Sequence, residues 1–323
     1  MARVTPRPLV SVITPFFNAG GFLAEAIQSV LAQSFPDWEL LLIDDGATDG
    51  TTDVALQYAR SYPLQIRYLS HDGRANKGQS ASRNLGLRHA AGEYIALLDH
   101  DDLWLPQKLE RQVSLMESQP GTGMLYGRTL YWRSWSQRDE DVGADHAPEL
   151  AVASDTIVNP PRLLLESYPL GTGAAPCTGS LMFRRATAIR IGGFEESFRG
   201  KYMLYEDQAF LTKVYLTEIV FVSGECWDWY RLHPASAMAV AVQEGQYDTA
   251  RSFFLDWFEQ YLIDQHVSDP QVWKALNAAL RPYRHPIRER LSRVSRRLGH
   301  KISAAMHAIR RQRLAQATRD PDR

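Results

Sequence analysis

Apolar residues over the first hundred positions switch between two periods. Val10–Thr14 and Trp38–Asp44 are short, nearly continuous apolar runs, the pattern of strands buried on both faces. Between them Phe22, Leu23, Ala26, Ile27, Val30 and Leu31 recur at helical spacing. The alternation goes on: helix over Asp49–Tyr62, strand over Ile66–Leu69, helix over Gln79–His89, strand over Tyr94–Leu98. Strands that alternate with helices predict an α/β fold whose mainly parallel sheet is flanked by helices. Such sheets bind ligands beyond the carboxyl ends of their strands. Polar residues gather at those ends: Asn18, then Asp44 and Asp45, then Asp99, Asp101 and Asp102.

Trp132–Gly173 is polar and rich in Pro and Gly, which predicts an irregular loop region. Cys177–Arg184 reads as a returning strand, and from Tyr247 the pattern is mostly helical. The chain has 323 residues, enough for one large domain with an appendage, and 45% are hydrophobic. Its net charge of −1 hides an asymmetry. Residues 281–323 carry 13 Lys+Arg against 3 Asp+Glu, leaving 23 against 34 in the remainder. Cys177 and Cys226 are the two cysteines, with no CxxC spacing, so a zinc knuckle or a disulfide framework is not indicated. No apolar run reaches the ~18 residues of a membrane span, and no signal-peptide core follows Met1. The expected location is the cytoplasm, with peripheral contact at the inner membrane face left open.

Five short motifs carry candidate chemistry. Asp99-His100-Asp101-Asp102 follows a buried strand. Carboxylates one residue apart on an extended segment point the same way and can share a hard divalent cation. The alternative is an acidic cap ahead of Leu103–Leu109. Asp44-Asp45-Gly46 ends the second strand, where a carboxylate can accept from a nucleobase or ribose edge; a capped turn explains Thr48 and Asp49 but not the aspartate pair. Asn76-Lys77-Gly78 leads through Ser80 and Ser82 to Arg83, and a helix N-terminus with a cation suits a diphosphate, although an ordinary capped helix explains it too. Glu206-Asp207 opens an apolar helix, as dipole complement or as general base. Arg231, His233 and Ser236 crowd a strand end before Pro234, where an anion or a metal could bind.

In this order, with Val10-Ser11-Val12-Ile13-Thr14-Pro15-Phe16-Phe17-Asn18 before them and Gly192-Gly193-Phe194 between, these motifs resemble family 2 glycosyltransferases of the GT-A fold. The resemblance covers about Pro8 to Ser236. It implies a GT-A domain over residues 1–240, with a nucleotide-sugar-binding half at about 8–105 and an acceptor half at 106–240, followed by a basic helical extension over 241–323. By the same resemblance Pro15, Phe17 and Asp45 would form the nucleoside pocket, with Asn18 beside them. Asp99 and Asp101 would hold Mg²⁺ or Mn²⁺, with Asp101 foremost. Gly78, Ser82 and Arg83 would lie near the donor phosphates, and Asp207 would be the catalytic base. His100, Glu206, Arg231 and His233 are further candidate substrate contacts. Phe17 stands where the family usually has Tyr, and Ala47 where Ser is common. The Gln-x-x-Arg-Trp signature of processive members is absent, so transfer of a single sugar with inversion is expected. The donor would be a nucleotide-sugar, by family expectation a UDP-sugar. The acceptor would be a saccharide or lipid-linked hydroxyl in cell-surface polysaccharide or glycolipid assembly.

Two other classes stay open at this point. A sugar nucleotidyltransferase would need a Gly-rich phosphate loop after the first strand, and Gly20-Gly21 lacks its repeated glycines and basic residue. A non-catalytic nucleotide-sugar-binding module would need no base. A dinucleotide dehydrogenase is disfavoured, since no GxGxxG follows a strand. In the tail, Ile287, Leu291, Val294, Leu298, Ile302, Met306 and Ile309 form a helical stripe among arginines. It could dock on the acidic body, pair in a homodimer or lie on anionic lipid. Nucleic acid is not an expected partner, because the basic residues lack interleaved aromatics.

Overall fold

The computed structural model describes residues 7–285. Two compact units divide the chain, Met1–Ala275 and Leu276–Arg323. Of the second, the described part is residues 276–285, mostly the end of a helix. The tail stripe over residues 287–309 lies outside the described residues, as does the question of what it binds.

The first unit is built on one nine-stranded sheet. Its strands are β1 (Val10–Phe16), β2 (Trp38–Asp44), β3 (Ile66–Ser70), β4 (Tyr94–Leu97), β5 (Leu103–Trp104), β6 (Met124–Trp132), β7 (Thr156–Val158), β8 (Met182–Arg184) and β9 (Val220–Arg231). The order is β3-β2-β1-β4-β8-β6-β9-β5, with β7 also paired to β9. The first four are parallel neighbours, in register Val12 to Leu40 and Val12 to Ala96. Antiparallel β8 joins them to β6, and β6 runs parallel to β9.

Every residue of β1, β2 and β4 is buried, so both sheet faces must be covered. Helix α1 (Phe22–Leu31) covers one face with Leu23, Ala26, Ile27 and Val30. Helices α2 (Thr51–Ser61) and α3 (Gln79–His89) follow the next two strands. Ser11 and Glu39, both buried polar residues of this layer, are paired. Ser11 Oγ donates to Glu39 Oε1 at 2.7 Å, and the Ala91 N–H donates to the same oxygen at 2.7 Å. The buried side of α3 is Ser80, Ala81, Ser82, Arg83 and Gly86, a polar face on a helix that borders the polar strand ends.

Beyond β4 the order is α4 (Lys108–Ser118), α5 (Arg162–Glu166), α6 (Arg185–Arg190), α7 (Glu206–Thr217), α8 (Ala237–Gln243), α9 (Tyr247–Asp264) and α10 (Pro270–Arg284). Two expectations change here. The strand expected over Cys177–Arg184 is confined to Met182–Arg184, because Thr178–Ser180 forms a 3-10 turn. The Trp132–Gly173 region contains α5 and the short β7, whose three residues pair along β9. The first compact unit runs to Ala275. Helix α9 belongs to it through aromatic packing: Phe253 stacks on Tyr202 at 4.1 Å and Phe254 on Tyr205 at 5.2 Å. Among the described residues, no helix is long and apolar enough to cross a membrane.

Helix α3 lies so close to β1 that a Cβ on Gly86 would sit 2.5 Å from Ile13 Cγ2. Ile13 is fully buried and has little room to move. Gly86→Ala should therefore destabilise the fold by about 1–3 kcal/mol. The check is a lower urea midpoint with an unchanged m-value; an unchanged midpoint would mean that the helix shifts freely.

Candidate active site

The two aspartates that end β2 have separate duties. Asp44 is fully buried, and Gly46 N–H (2.9 Å) and Ala47 N–H (2.8 Å) donate to its Oδ1. Thr52 Oγ1 (2.7 Å) and Tyr68 OH (2.8 Å) donate to Oδ2, so this carboxylate is consumed in closing the turn. Burial alone would raise its pKa; the hydrogen bonds and the nearby Arg74 guanidinium bring it below the usual value. Asp45 reaches across to the next loop, where Lys77 N–H (2.7 Å) and Gly78 N–H (3.0 and 3.2 Å) donate to its two oxygens. Gly78 takes φ +88°, which lets the chain turn its N–H onto Asp45. At the end of β1, Pro15 is buried, Phe17 is 45% exposed, and Asn18 Oδ1 accepts from the Thr48 N–H at 2.8 Å.

Asp99 to Asp102 form a tight turn, closed by Asp102 N–H donating to Asp99 O at 3.2 Å, rather than the extended segment expected. Its aspartates consequently point to different partners. Asp99 Oδ1 accepts from Arg83 Nη2 (2.7 Å) and Gln79 Nε2 (2.9 Å), and Oδ2 from Thr178 Oγ1 (2.6 Å). Asp101 Oδ2 meets His233 Nε2 at 3.0 Å. Burial raises the Asp101 pKa, but His233 and the neighbouring His100 pull it below the ordinary range. His100 itself sits half-buried within the turn. Asp102 is buried, accepts from the Arg231 N–H at 2.8 Å, and has its pKa pushed well up by burial and by the surrounding carboxylates.

Arg231 is not available to a ligand anion. Its Nε donates to Asp101 O at 2.8 Å and its Nη2 to Glu25 at 2.6 Å. Its guanidinium packs over Phe22 (4.4 Å), Trp132 (4.9 Å) and Trp135 (5.1 Å). Only 3% exposed, it clamps the acidic turn onto β9. Ser82 is likewise withdrawn: fully buried, its Oγ lies 2.9 Å from His71 Nε2 and supports the wall from behind.

Arg83 joins the two halves of the sheet. Its side chain is fully buried, with Nη1 bonded to Glu206 and Nη2 to Asp99. Burial would lower its pKa, yet the two carboxylates raise it further. Glu206 is spent on this pair, and burial lifts its pKa to about 7 against the pull of Arg83. Asp207, the next residue, is only half-buried and lines the cleft. Its hydrogen bonds come from its neighbour Gln208, by backbone at 2.7 Å and side chain at 3.4 Å. Burial raises its pKa as well, with Arg83 opposing.

The cleft has a volume of about 770 Å³. Gln79, Arg83 and Asp99 line one side; Asp207, His233 and Met238 border it elsewhere. Its remaining wall includes residues that the sequence did not single out: Tyr131, Tyr168, Thr178, Tyr205 and Tyr247. They come from five separate segments, so no local motif announces them. Among the described residues, no group of three or more His, Cys, Asp or Glu is placed to hold a metal. Three side-chain donors already bond Asp99, and Asp101 has His233 beside it at 3.0 Å.

A Rossmann-like sheet with four parallel strands at its first edge, acidic turns at the strand ends and a cleft-lining carboxylate is the arrangement of the GT-A fold class. Residues 11–188 match the family model described as glycosyl transferase family 2. The chain belongs to that family. It is 37% identical over 154 residues to the putative teichuronic acid biosynthesis glycosyltransferase TuaG of Bacillus subtilis, covering 47% of this chain and 58% of that one. Over 108 residues it is 41% identical to WfgD of Escherichia coli, a UDP-Glc:alpha-D-GlcNAc-diphosphoundecaprenol beta-1,3-glucosyltransferase, covering 33% and 41%. The matched segments thus span about half the length of these relatives. Among solved structures, S. aureus TarS 1-349 in complex with UDP superposes with a TM-score of 0.60 at 18% identity, over 85% of this chain and 71% of that one. The mannosyltransferase PcManGT from Pyrobaculum calidifontis, with GDP-Man and Mn2+, gives 0.54 at 18% identity over 98% and 88%. These likenesses establish the GT-A fold.

Arg83→Leu should leave buried Glu206 and partly buried Asp99 without their cation, at a cost of about 3–5 kcal/mol. The deficit should shrink as pH falls towards about 7, because losing the pull of Arg83 lifts the Glu206 pKa above the value it has in the unmodified protein. Glu206 in the folded variant then takes up a proton that the unfolded chain, with an ordinary Glu pKa near ~4.3, does not yet bind. Urea unfolding at several pH values checks this; a deficit that does not change with pH would show that Glu206 is not left charged.

Proposed function

We propose that the chain is an inverting, metal-dependent glycosyltransferase that moves one sugar from a nucleotide-sugar, by family expectation a UDP-sugar, to an acceptor hydroxyl. The observation that carries this reading is the contrast between two adjacent carboxylates. Glu206 is locked to Arg83, whereas Asp207 faces the cleft with oxygens bonded only by its own neighbour. A half-buried carboxylate with a raised pKa and an open approach suits proton abstraction from a hydroxyl. The names of the relatives, teichuronic acid biosynthesis for one and a lipid-diphosphate-linked acceptor for the other, support a place in polysaccharide or glycolipid assembly.

Asp101 and His233 fit a divalent cation, Mn²⁺ or Mg²⁺, held jointly with donor phosphates and water, as such ions commonly need only one or two protein ligands. When bound there, the cation neutralises charge on the departing diphosphate. Asp99 orients Arg83 instead of joining the ligand set. Phe17 offers its exposed ring to the nucleobase, and Asp45 has one of its roughly four acceptor positions left for a base or ribose donor. Asp207 takes the acceptor proton as that oxygen attacks the anomeric carbon. The bond to the acceptor oxygen forms as the bond to the diphosphate breaks on the opposite face, which inverts the carbon.

Asp207→Asn should lower turnover by ~10²–10⁴-fold while nucleoside diphosphate binding persists. In the unmodified enzyme kcat/KM should fall on the acid side with an apparent pKa above the ordinary Asp value of ~3.9, because the base must be ionised. Near-normal turnover in the variant would remove Asp207 from the role. For the donor site, melting temperatures with UDP, GDP, CDP and dTDP, each with and without Mn²⁺, are decisive. A ligand at 100 times its dissociation constant stabilises by about 2.7 kcal/mol. One diphosphate should shift the melt only with metal, and Asp101→Asn should abolish that increment; an equal increment in the variant would exclude Asp101.

A further inference from the structure

Three tyrosines meet on the cleft wall next to Asp207. Tyr168 lies in the loop after α5, Tyr205 ends the 3-10 turn that leads into Glu206, and Tyr247 opens α9. All three line the cleft. The Tyr168 hydroxyl bonds to that of Tyr205 and, at 2.6 Å, to that of Tyr247. The cluster is braced from behind. Tyr205 is 2% exposed and stacks on Phe254, while Arg251 packs 5.5 Å from the Tyr168 ring and donates to Pro169 O at 3.2 Å. Fixed rings with hydroxyls at their tips need no reordering when a ligand arrives.

The hydrogen-bond inventory points to the kind of ligand. Three phenols hold three protons, and the two bonds among them use two. One O–H and several lone pairs remain for a partner that both donates and accepts. A ring of neighbouring hydroxyls does both, and its C–H faces suit aromatic walls. Charge narrows the choice. Asp99, Asp141, Glu206 and Asp207 line the same cleft, and Arg83 is committed to two of them. Arg138, another lining cation, is paired with Glu140 at 3.1 Å and Asp141 at 2.8 Å. Arg133 also lines the cleft, but it is exposed and near Asp141, so a phosphate or uronate at this wall would face carboxylates with the buried cation, Arg83, already committed.

We propose that Tyr168, Tyr205 and Tyr247 form the subsite for the terminal sugar of the acceptor, an uncharged pyranose, and set one of its hydroxyls toward Asp207. The proposal rests on the glycosyltransferase reading and adds the acceptor's chemical class. Two of the three residues, Tyr205 and Tyr247, lie beyond the segment that matches the family model. The subsite joins Tyr168 of the matched segment to two C-terminal elements.

The test uses the full-length chain with UDP and Mn²⁺ present. Saturation-transfer NMR measures binding of p-nitrophenyl β-glucopyranoside, β-galactopyranoside, β-N-acetylglucosaminide and β-glucuronide. At least one neutral glycoside should bind. Tyr168→Phe and Tyr247→Phe, which keep the rings, should each weaken it about 3- to 10-fold, the effect of one lost hydrogen bond. The melting shift produced by UDP should be the same in both variants. Unchanged glycoside affinity in both variants, no neutral glycoside bound at tens of millimolar, or tighter binding of the glucuronide would each overturn the proposal. Absence of a UDP shift in the unmodified chain would count against the donor reading, while the tyrosine subsite would still be judged by the glycosides.

Discussion

The Arg83 guanidinium is buried where the parallel half of the sheet meets the mixed half, and this one side chain ties α3 to both acidic clusters at once: Asp99 after β4, and Glu206 at the start of α7. An unpaired cation in such a place would be prohibitively costly, so the three groups must assemble together or not at all. That requirement fixes the distance between the donor side of the cleft and the helix that presents Asp207. Thr178 and Gln79 add two further hydrogen bonds to Asp99.

Around this centre, identical side chains take different tasks because their surroundings differ. Asp44 closes a turn, while Asp45 fastens a second loop to it. Asp101 faces an imidazole, and Asp102, one residue on, is turned inward to a backbone N–H of β9. Glu206 neutralises Arg83, and Asp207 is left open to the cleft. In each pair the more buried carboxylate has its partners within the fold, as expected when burial penalises any charge that lacks a partner.

Strand β9 and helix α9 show how the C-terminal part completes the site. Through Arg231, β9 holds the backbone of the acidic turn against a cage of three aromatic rings. Through Phe253 and Phe254, α9 packs on the 3-10 turn that precedes Glu206. A stacked aromatic cluster on one side and a buried ion pair on the other thus leave α7 little freedom where Asp207 projects.

Strand and helix positions in the first hundred residues were legible because strands buried on both faces read as unbroken apolar runs, and α1 shows its face at helical spacing. The clustering of aspartates at strand ends was legible for the same reason: the sheet topology brings all those ends to one edge. What each aspartate does was not. Asp99 and Asp101 look equivalent in sequence, but the turn that separates them depends on Arg231, 130 residues away in the chain. Arg231 reads as an anion contact until Phe22, Trp132 and Trp135 arrive from separate segments to enclose it. The tyrosine wall has no local signature, since its three hydroxyls come from positions 168, 205 and 247. Sequence alone determined the elements and the inventory of charged groups, because periodicity and composition are local properties. Only the tertiary structure decided which charges are paired and which remain open, because pairing depends on burial and on partners that are distant along the chain.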